Sequence, residues 1–359
     1  MATAPLPPRR TRRALRAAGL VALSSLGLAA CASSGASSNT AGASSKSPIP
    51  LVVYSAQGYA PAEINAFTKA TGIPVRFDNN STGPLLTQIE ASRNNPNWGL
   101  LWVDGPTAFA ALDRQGLLLR GFEPAVSWNS LGRTSIPADK SWVPTGVTLA
   151  GAVVYDSTKV KNPPTSWNEL TSPQWKNAIG TNDPAQSGPT YPFIAGIMNA
   201  LGGVSAGERY FEALKANGLV IHPTNGPTLQ ALTAGQIRLA LVQSSAGIGA
   251  EATDRSLRVE YLNPVTMLPS CIGIDAKAPA AEQAEAKRFA EYVLSPAGQK
   301  VMQSGDPTGD SLYYPVLNGV KPLPLLPSLA SVHTQYINPY TWGARESALT
   351  QWFDSHIVQ

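Results

Sequence analysis

The sequence is poor in the residues that build disulfide frameworks and metal sites. It contains two cysteines, Cys31 and Cys271, and three histidines, His222, His333 and His356. Two cysteines cannot form a disulfide-rich scaffold, and no two histidines have the spacing of a metal-binding pair. We therefore predict no metal site. Cys271 lies in an apolar, strand-like run, which predicts a buried and unreactive thiol.

The apolar run near the N-terminus is too short for a membrane-spanning helix. Five arginines up to Arg16 overlap and precede a Leu- and Ala-rich stretch, Leu15–Leu28, whereas a spanning helix needs about 20 apolar residues. A basic and then apolar segment followed by small residues is typical of a secretory signal. We predict a signal peptide over residues 1–30 and a flexible Ser/Gly/Ala-rich linker over residues 31–48.

The residues that end this signal also predict an attachment to the membrane. Leu28-Ala29-Ala30-Cys31 resembles the bacterial lipobox, in which the cysteine thiol carries a lipid and becomes the first residue after cleavage. We expect lipidation at Cys31 and an exported protein anchored to the cell membrane, facing the periplasm or the exterior. The alternative is an ordinary signal peptide with an incidental cysteine. The arginines leave both general and twin-arginine export open.

The positive charge of the chain belongs to this signal. The chain has 27 Lys and Arg against 23 Asp and Glu, a formal charge of +4. Residues 1–30 contain five arginines and no acidic residue, so the remainder has 22 basic and 23 acidic residues and a net charge of −1. No basic stripe remains, which argues against a nucleic-acid partner.

The rest of the chain alternates between apolar, strand-like runs and helical patterns. The predicted strands include Pro50–Tyr54, Ile73–Phe77 and Gly99–Val103, and the predicted helices include Ala60–Thr71 and Ala280–Leu294. Strands that read as continuous apolar runs between helices predict an α/β fold, with mostly parallel sheets and helices on both faces.

Two changes of pattern predict two lobes. A long β-branched stretch, Val147–Tyr155, suggests a crossing into a second domain, and Met267–Ile274 suggests the return. We predict lobe 1 over residues 49–146 and 267–320, and lobe 2 over residues 147–266. Residues 321–359 should form an extended segment and a helix packed on the lobes. One domain interrupted by another, with two crossings, predicts a hinge between them.

Three parts of the chain carry a resemblance to a known family. They are Leu51–Ala56 followed by Phe67–Ile73, then Leu229–Ile237, and then Ala286–Phe289 with Leu294–Gln299. In this order and spacing they resemble the bacterial extracellular solute-binding proteins of type II, in the ferric-iron/phosphonate-like group. The resemblance implies a two-lobed periplasmic-binding-protein-like fold and a monomer that delivers a small solute to the permease subunits of an ABC importer.

Four hydroxyl-rich corners follow predicted strands and precede predicted helices. They are Asn80–Pro84, Gln186–Tyr191, Thr224–Thr228 and Gln243–Gly247. Helix N-termini at the carboxyl ends of strands present unpaired amides and partial positive charge, which favours anions. The alternative is that these Ser, Thr and Asn residues are ordinary helix caps.

From these corners we predict a cradle for a small anionic or zwitterionic, organophosphonate-like solute. The candidate residues are Ser81, Thr82, Gly83, Ser187, Gly188, Thr190, Tyr191, Asn225, Ser244 and Ser245. Asp104 follows the buried strand Gly99–Val103 and should lie at the mouth of the cleft, where Tyr59, Trp102 and Tyr191 would flank it. A carboxylate with aromatic neighbours suits an amine. Alternatively, Asp104 caps the helix that begins at Pro106.

Ferric-iron binding with a bound anion is an alternative function. The resemblance implies metal ligands of a histidine, a carboxylate and a tyrosine pair. By position these fall on Gly58, Asp104 and Ser244–Ala246, where only the carboxylate is present. The pair Tyr313-Tyr314 precedes Pro315 in a segment that resembles the family's closing segment, so we expect it to serve packing.

An exported hydrolase is the alternative from another class. Gly203-Val204-Ser205-Ala206-Gly207 fits the nucleophile-elbow pattern, but that motif needs a preceding strand, and a helix is predicted there. Ser205 stands three residues before Glu208, so we predict a capping box at a helix start. No phosphate-binding loop or dinucleotide fingerprint is present, and we predict a protein that is not an enzyme and holds no cofactor.

Overall fold

The computed structural model describes residues 49–306, 309 and 311–359. The predicted signal peptide, the linker and the lipidation site at Cys31 lie outside the described residues. Within the described ranges, no helix is both long enough and apolar enough to cross a bilayer.

Eleven strands within the described ranges form two sheets. They are β1 (Leu51–Ser55), β2 (Val75–Asn79), β3 (Leu100–Asp104), β4 (Val143–Ala150), β5 (Ala152–Asp156), β6 (Ile179–Asn182), β7 (Val220–His222), β8 (Leu239–Val242), β9 (Leu257–Glu260), β10 (Val265–Ile274) and β11 (Thr334–Gln335). The central strands β3, β4, β8 and β10 are buried along their whole length. Continuous apolar runs therefore form the middle of each sheet, as the sequence predicts.

Twelve α-helices lie among the described residues. They are α1 (Ala60–Thr71), α2 (Thr82–Ser92), α3 (Pro106–Arg114), α4 (Ser130–Ser135), α5 (Thr190–Ala200), α6 (Val204–Ala216), α7 (Asn225–Thr233), α8 (Ser244–Thr253), α9 (Ala280–Val293), α10 (Pro296–Ser304), α11 (Pro339–Gly343) and α12 (Glu346–Phe353). Helix α9 shows why they form: Ala286, Phe289, Ala290 and Val293 are buried, and this spacing places them on one face.

The two sheets define two lobes. The six-stranded sheet has the order β11-β10-β3-β1-β2, with β4 paired to β10, and forms lobe 1. The five-stranded sheet has the order β7-β6-β8-β5-β9 and forms lobe 2. Among the nine strand pairs described, five are parallel, and all four antiparallel pairs involve β5 or β10. The sheets are therefore mixed: β5 runs antiparallel to both of its neighbours, and β10 runs antiparallel to β3 and β4 but parallel to β11.

The first crossing between the lobes is made at Gly151. Strand β4 pairs in lobe 1 and β5 pairs in lobe 2, with Gly151 between them at φ +87°. Gly151 lies inside Val147–Tyr155, the stretch for which the sequence predicts a crossing into a second domain. A Cβ on residue 151 would collide with the ring of Phe193, so both the backbone angle and the space require glycine.

The chain returns to lobe 1 between β9 and β10, and the C-terminal segment then contacts both lobes. The predicted boundaries at residues 147 and 267 fall inside β4 and β10, because the apolar pattern runs on through each change of sheet. The ring of Tyr340 lies 5.6 Å from that of Trp142 in lobe 1, and the ring of Phe353 lies 5.5 Å from that of Phe211 in lobe 2.

Replacing Gly151 by alanine should destabilise the protein more than the same change at Gly72. Both glycines have positive φ, but nothing lies within 4 Å of a Cβ at Gly72. Gly72→Ala should therefore cost about 1–2 kcal/mol for the left-handed backbone alone. Gly151→Ala should cost a further 1–3 kcal/mol, roughly, for overpacking against Phe193. Urea unfolding of both variants measures the difference, and equal losses would contradict the proposed packing constraint.

Candidate functional site

A cavity of about 280 Å³ lies between the lobes, where the carboxyl ends of strands from both sheets meet. Residues at or shortly after the carboxyl ends of β2, β3, β6, β7 and β8 contribute to its lining: Ser81, Asp104, Gln186, Thr224 and Gln243. Six of the predicted site residues line it: Ser81, Thr82, Asp104, Ser187, Gly188 and Asn225. Residues far apart in sequence are thus brought together at the edge where parallel sheets bind ligands.

Three helices direct uncapped N-termini at this cavity. Ser81, Thr224 and Gln243 precede α2, α7 and α8, and none of their side chains accepts a capping hydrogen bond from an N–H of its own helix. Elsewhere, N-cap side chains do accept a hydrogen bond from the helix: Asn129 at α4, Ser295 at α10 and Asn338 at α11. Gly83 N–H donates to the carbonyl of Gln186 and Pro84 and Pro227 carry no N–H, but the other first-turn N–H groups at the cavity keep their hydrogen-bonding capacity and their partial positive charge.

In lobe 2, Asn182 positions the polar side chains of the cavity. This buried residue ends β6, and its Nδ2 donates to Asn225 Oδ1 at 2.6 Å and to Ser187 Oγ at 3.4 Å. Its Oδ1 accepts a hydrogen bond from Thr228 Oγ1 at 2.5 Å. One asparagine thereby links the end of β6 to two other segments of lobe 2, the corner that contains Ser187 and the start of α7.

In lobe 1, Asp104 is held by two side-chain donors. Gln57 Nε2 donates to its Oδ1 at 2.8 Å, and the hydroxyl of Tyr313 donates to its Oδ2 at 2.8 Å. The hydroxyl of Tyr313 in turn accepts from Gln243 Nε2 at 2.9 Å. Because Gln243 belongs to lobe 2, this network spans the cleft. Helix α3 has Gly105 as its N-cap and receives no side-chain cap, so of the two alternatives for Asp104 the structure favours the cleft.

The environment of Asp104 shifts its ionisation towards neutral pH. Burial raises the pKa of Asp104 to about 6, because the charged carboxylate loses its water, and hydrogen bonds from Gln57 and Tyr313 oppose this rise. The residue is 7% exposed. A carboxylate under this desolvation gains from a cation that reaches it in the cavity.

Six other predicted residues lie near the cavity but outside its lining. Tyr59 packs edge-on against Trp102, at 5.1 Å between ring centroids, and against Tyr313 at 5.8 Å. The hydroxyl of Tyr191 donates to the carbonyl of Trp342 at 2.5 Å, in the C-terminal segment. The aromatic residues expected beside Asp104 are thus core residues, because each occupies the buried side of its element.

The remaining four hold the corners themselves together. Gly83 N–H donates across the cleft to the carbonyl of Gln186 at 3.3 Å, and Thr190 is buried at the start of α5. Ser244 Oγ accepts from the N–H of Leu149 at 3.1 Å, next to the crossing at Gly151. Ser245 Oγ accepts from Gln243 Nε2 at 2.8 Å. Their polar groups are engaged by protein partners.

The predicted site residues leave out several residues of the site, among them Gln57, Tyr313, Asp306 and Gln243, although Gln243 begins one of the predicted corners. Gln57 and Gln243 follow β1 and β8, so their position at strand ends was a usable signal. Tyr313 comes from a segment with no local motif for binding. It packs against Tyr59 as expected for a core residue, and its hydroxyl also reaches the cleft.

The hydrolase motif and the free thiol lie elsewhere. Helix α6 begins at Val204 with Gly203 as its N-cap, so the prediction that Ser205 caps this helix is wrong. Helix α5 precedes the motif, and the strand that a nucleophile elbow requires is replaced by this helix. Cys271 is buried in β10, and burial raises the pKa of its thiol well above the usual value. Among the described residues, no group of three or more His, Cys, Asp or Glu could hold a metal ion.

Comparison with known sequences and structures identifies proteins that are similar to this chain. Residues 62–325 match the family model described as bacterial extracellular solute-binding protein. The "Putative 2-aminoethylphosphonate-binding periplasmic protein" of Salmonella paratyphi A is 24% identical over 245 residues, covering 66% of this chain and 69% of that protein. The "Major ferric iron-binding protein" of Neisseria meningitidis serogroup A is 27% identical over 268 residues, covering 70% of this chain and 78% of that protein.

A solved structure agrees with the fold. Iron-bound HitA from Pseudomonas aeruginosa superposes with a TM-score of 0.74 at 22% identity, covering 85% of this chain and 99% of that one. The matched part includes both lobes described above. The chain belongs to the bacterial extracellular solute-binding proteins, with a two-lobed α/β fold.

Proposed function

We propose that this protein is the substrate-binding component of an ABC importer and captures a small zwitterionic solute of the organophosphonate type. One observation carries the proposal: uncapped helix N-termini from both lobes and the carboxylate of Asp104 line a single cavity. An anion and an amine on one compact ligand would satisfy these two ends together.

The anionic end of the ligand would bind the helix N-termini. The N-terminal residues of α2, from lobe 1, and of α7 and α8, from lobe 2, line the cavity. Their free N–H groups and aligned peptide dipoles favour a phosphonate, phosphate or carboxylate group. The hydroxyls of Ser81, Thr82 and Ser187 would add neutral hydrogen-bond donors.

The cationic end would bind the acidic side of the cavity. The charged side chains among the described lining residues are Asp104 and Asp306, both carboxylates. An amine near Asp104 would replace part of the hydration that burial removes. The volume of about 280 Å³ is at the lower end of ligand cavities, so we infer a ligand of few non-hydrogen atoms.

The relatives support both this proposal and a second candidate. The Salmonella relative is named for 2-aminoethylphosphonate, which carries a phosphonate and an amine. The Neisseria relative is named for ferric iron. Iron held with a bound anion is therefore the second candidate, and the oxygens of Asp104, Asp306 and Tyr313 are its available ligands. The relatives are binding proteins, in keeping with a protein that is not an enzyme.

Transport would follow from closure of the two lobes on the ligand. Thr82 of lobe 1 lies against Gly188 of lobe 2 in this structure, and Gly83 donates to Gln186 across the same gap. A ligand that contacts both lobes favours the closed form by its difference in affinity for the two states. We propose that the closed monomer docks on the permease and releases the solute there.

Replacing Asp104 by asparagine should show which end of the ligand this residue binds. We expect Asp104→Asn to weaken binding of 2-aminoethylphosphonate by about 10- to 100-fold, the range for a lost charged contact. Binding of ethylphosphonate, which lacks the amine, should change by less than about threefold. Ser187→Ala should weaken both ligands alike. Isothermal titration calorimetry at pH 7.5 measures all of these.

The wild-type protein also supplies a pH test of this assignment. Affinity for 2-aminoethylphosphonate should fall as the pH drops below about 6, because Asp104 becomes neutral, while affinity for ethylphosphonate should lack this component. Equal effects of Asp104→Asn on both phosphonates would contradict the amine site. Tight binding of ferric citrate with a visible iron–phenolate colour, and no phosphonate binding, would favour the second candidate.

The stability of the same variant relative to the wild type should rise from acidic to neutral pH. Since the folded-state pKa of Asp104 is raised to about 6, its ionisation lowers wild-type stability as the pH rises from about 4 to about 6. The unfolding free energy of Asp104→Asn minus wild type should therefore rise by on the order of 2 kcal/mol between pH 4 and pH 7.

Asp156→Asn is the control for this stability measurement. The partly buried carboxylate of Asp156 accepts hydrogen bonds from Thr158 and pairs with Lys159, which lower its pKa to about 2. Asp156→Asn should lower the free energy of unfolding at neutral pH, and this loss should shrink as the pH falls towards 2. The pH dependence is therefore opposite in sign to that of Asp104→Asn. A flat difference for Asp104→Asn in thermal or urea unfolding would contradict the raised pKa.

We also propose export and lipid anchoring at Cys31, in keeping with the periplasmic relatives. If the thiol carries the anchor, Cys31→Ser should move the protein from the membrane fraction to the soluble fraction after cell fractionation. Cys271→Ser, which changes the buried thiol, is the matched control and should stay with the membrane. An unchanged membrane fraction for Cys31→Ser would contradict the lipid anchor.

A further inference from the structure

The hydroxyl of Tyr313 joins the two lobes through a continuous hydrogen-bonded path. The backbone of Tyr314 exchanges two hydrogen bonds with Val147 of β4, at 2.7 and 2.9 Å, which fixes this segment to lobe 1. From there the Tyr313 hydroxyl donates to Asp104 Oδ2 at 2.8 Å and accepts from Gln243 Nε2 at 2.9 Å. Gln243 ends β8 and begins α8 in lobe 2, so the phenol bridges the cleft.

The hydroxyl of Tyr313 donates to Asp104 Oδ2, and the ligand's cation would bind this same carboxylate. A phenol has one proton to donate, and here it is directed at the carboxylate that we assign to the amine. A second acceptor, Gln57 Oε1, lies 3.1 Å from the same hydroxyl. The proton can therefore turn from Asp104 to Gln57 without loss of the hydrogen bond from Gln243.

We propose that Tyr313 is an interlobe latch: its hydroxyl holds the ligand-free protein closed and yields Asp104 Oδ2 to the ligand by turning to Gln57. The latch itself is independent of ligand identity. Only its release rests on the proposed function, because that step needs a ligand group that bonds to Asp104. Tyr313 is thus a positioning residue that links occupancy of the carboxylate to closure.

The latch can be tested without any ligand. Cysteines at the exposed positions Lys69 in lobe 1 and Glu212 in lobe 2, in a Cys31→Ser background, would carry spin labels for distance measurement. Wild-type protein should show a closed population, and Tyr313→Phe should lower the ratio of closed to open by about two- to tenfold, the value of one hydrogen bond.

Tyr314→Phe is the matched control for this experiment. Its hydroxyl donates to the carbonyl of Pro327 at 2.6 Å, so the same atom is removed from the neighbouring residue while the cleft network is left intact. Tyr314→Phe should leave the distance distribution unchanged. Gln243→Met removes the latch from the other lobe, and combined with Tyr313→Phe it should open the protein no further than either change alone.

Two results would overturn the proposal. One is a wild-type protein that is entirely open without ligand; the other is an identical distance distribution in wild type and Tyr313→Phe. A titration provides the readout of positioning: loss of the phenol donor should move the pH midpoint of 2-aminoethylphosphonate binding above that of the wild type. If Tyr313→Phe opens the ligand-free protein but leaves this pH midpoint unchanged, the latch is supported and its action on Asp104 is rejected. Failure to bind phosphonates would reject the proposed function and leave the distance result standing.

Discussion

The site depends on the need of one buried carboxylate for hydrogen-bond donors. Asp104 ends a fully buried strand, where a charge without partners would be costly. Helix α3, which begins two residues after Asp104, supplies no donor. The donors are instead the side chains of Gln57 and Tyr313, from distant parts of lobe 1. The hydroxyl of Tyr313 also accepts a hydrogen bond from Gln243 in lobe 2, so the hydrogen bonds that stabilise Asp104 involve both lobes.

Much of the fold could be predicted from local pattern, because burial dictates that pattern. The spacing of Ala286, Phe289, Ala290 and Val293 predicts α9, and the apolar run before Asp104 predicts β3. The stretch Val147–Tyr155 indicates the crossing but not its position at Gly151, since only the left-handed backbone and the nearby Phe193 ring mark that residue. Periodicity does not report such tertiary contacts.

Site residues that follow strand ends could be predicted from the sequence. Site residues whose side chains arrive from distant segments could not. Ser81, Ser187 and Asn225 follow strands, and the topology brings them to one cavity. Tyr191 has the same sequence context, but its ring is turned into the core and its hydroxyl towards Trp342. Tyr313 joins the site through a pairing with β4 that spans more than 150 residues, and no local signal announces it.

The unfilled caps of α2, α7 and α8 have an evolutionary consequence. Main-chain amides persist whatever side chain is attached, so a cradle built from them tolerates sequence drift that would destroy a cluster of lysines or arginines. In the proposed site, choice among different solutes then falls to the few side chains opposite these amides. A lineage can exchange one nutrient for another by altering those positions while the scaffold and its partner surface persist.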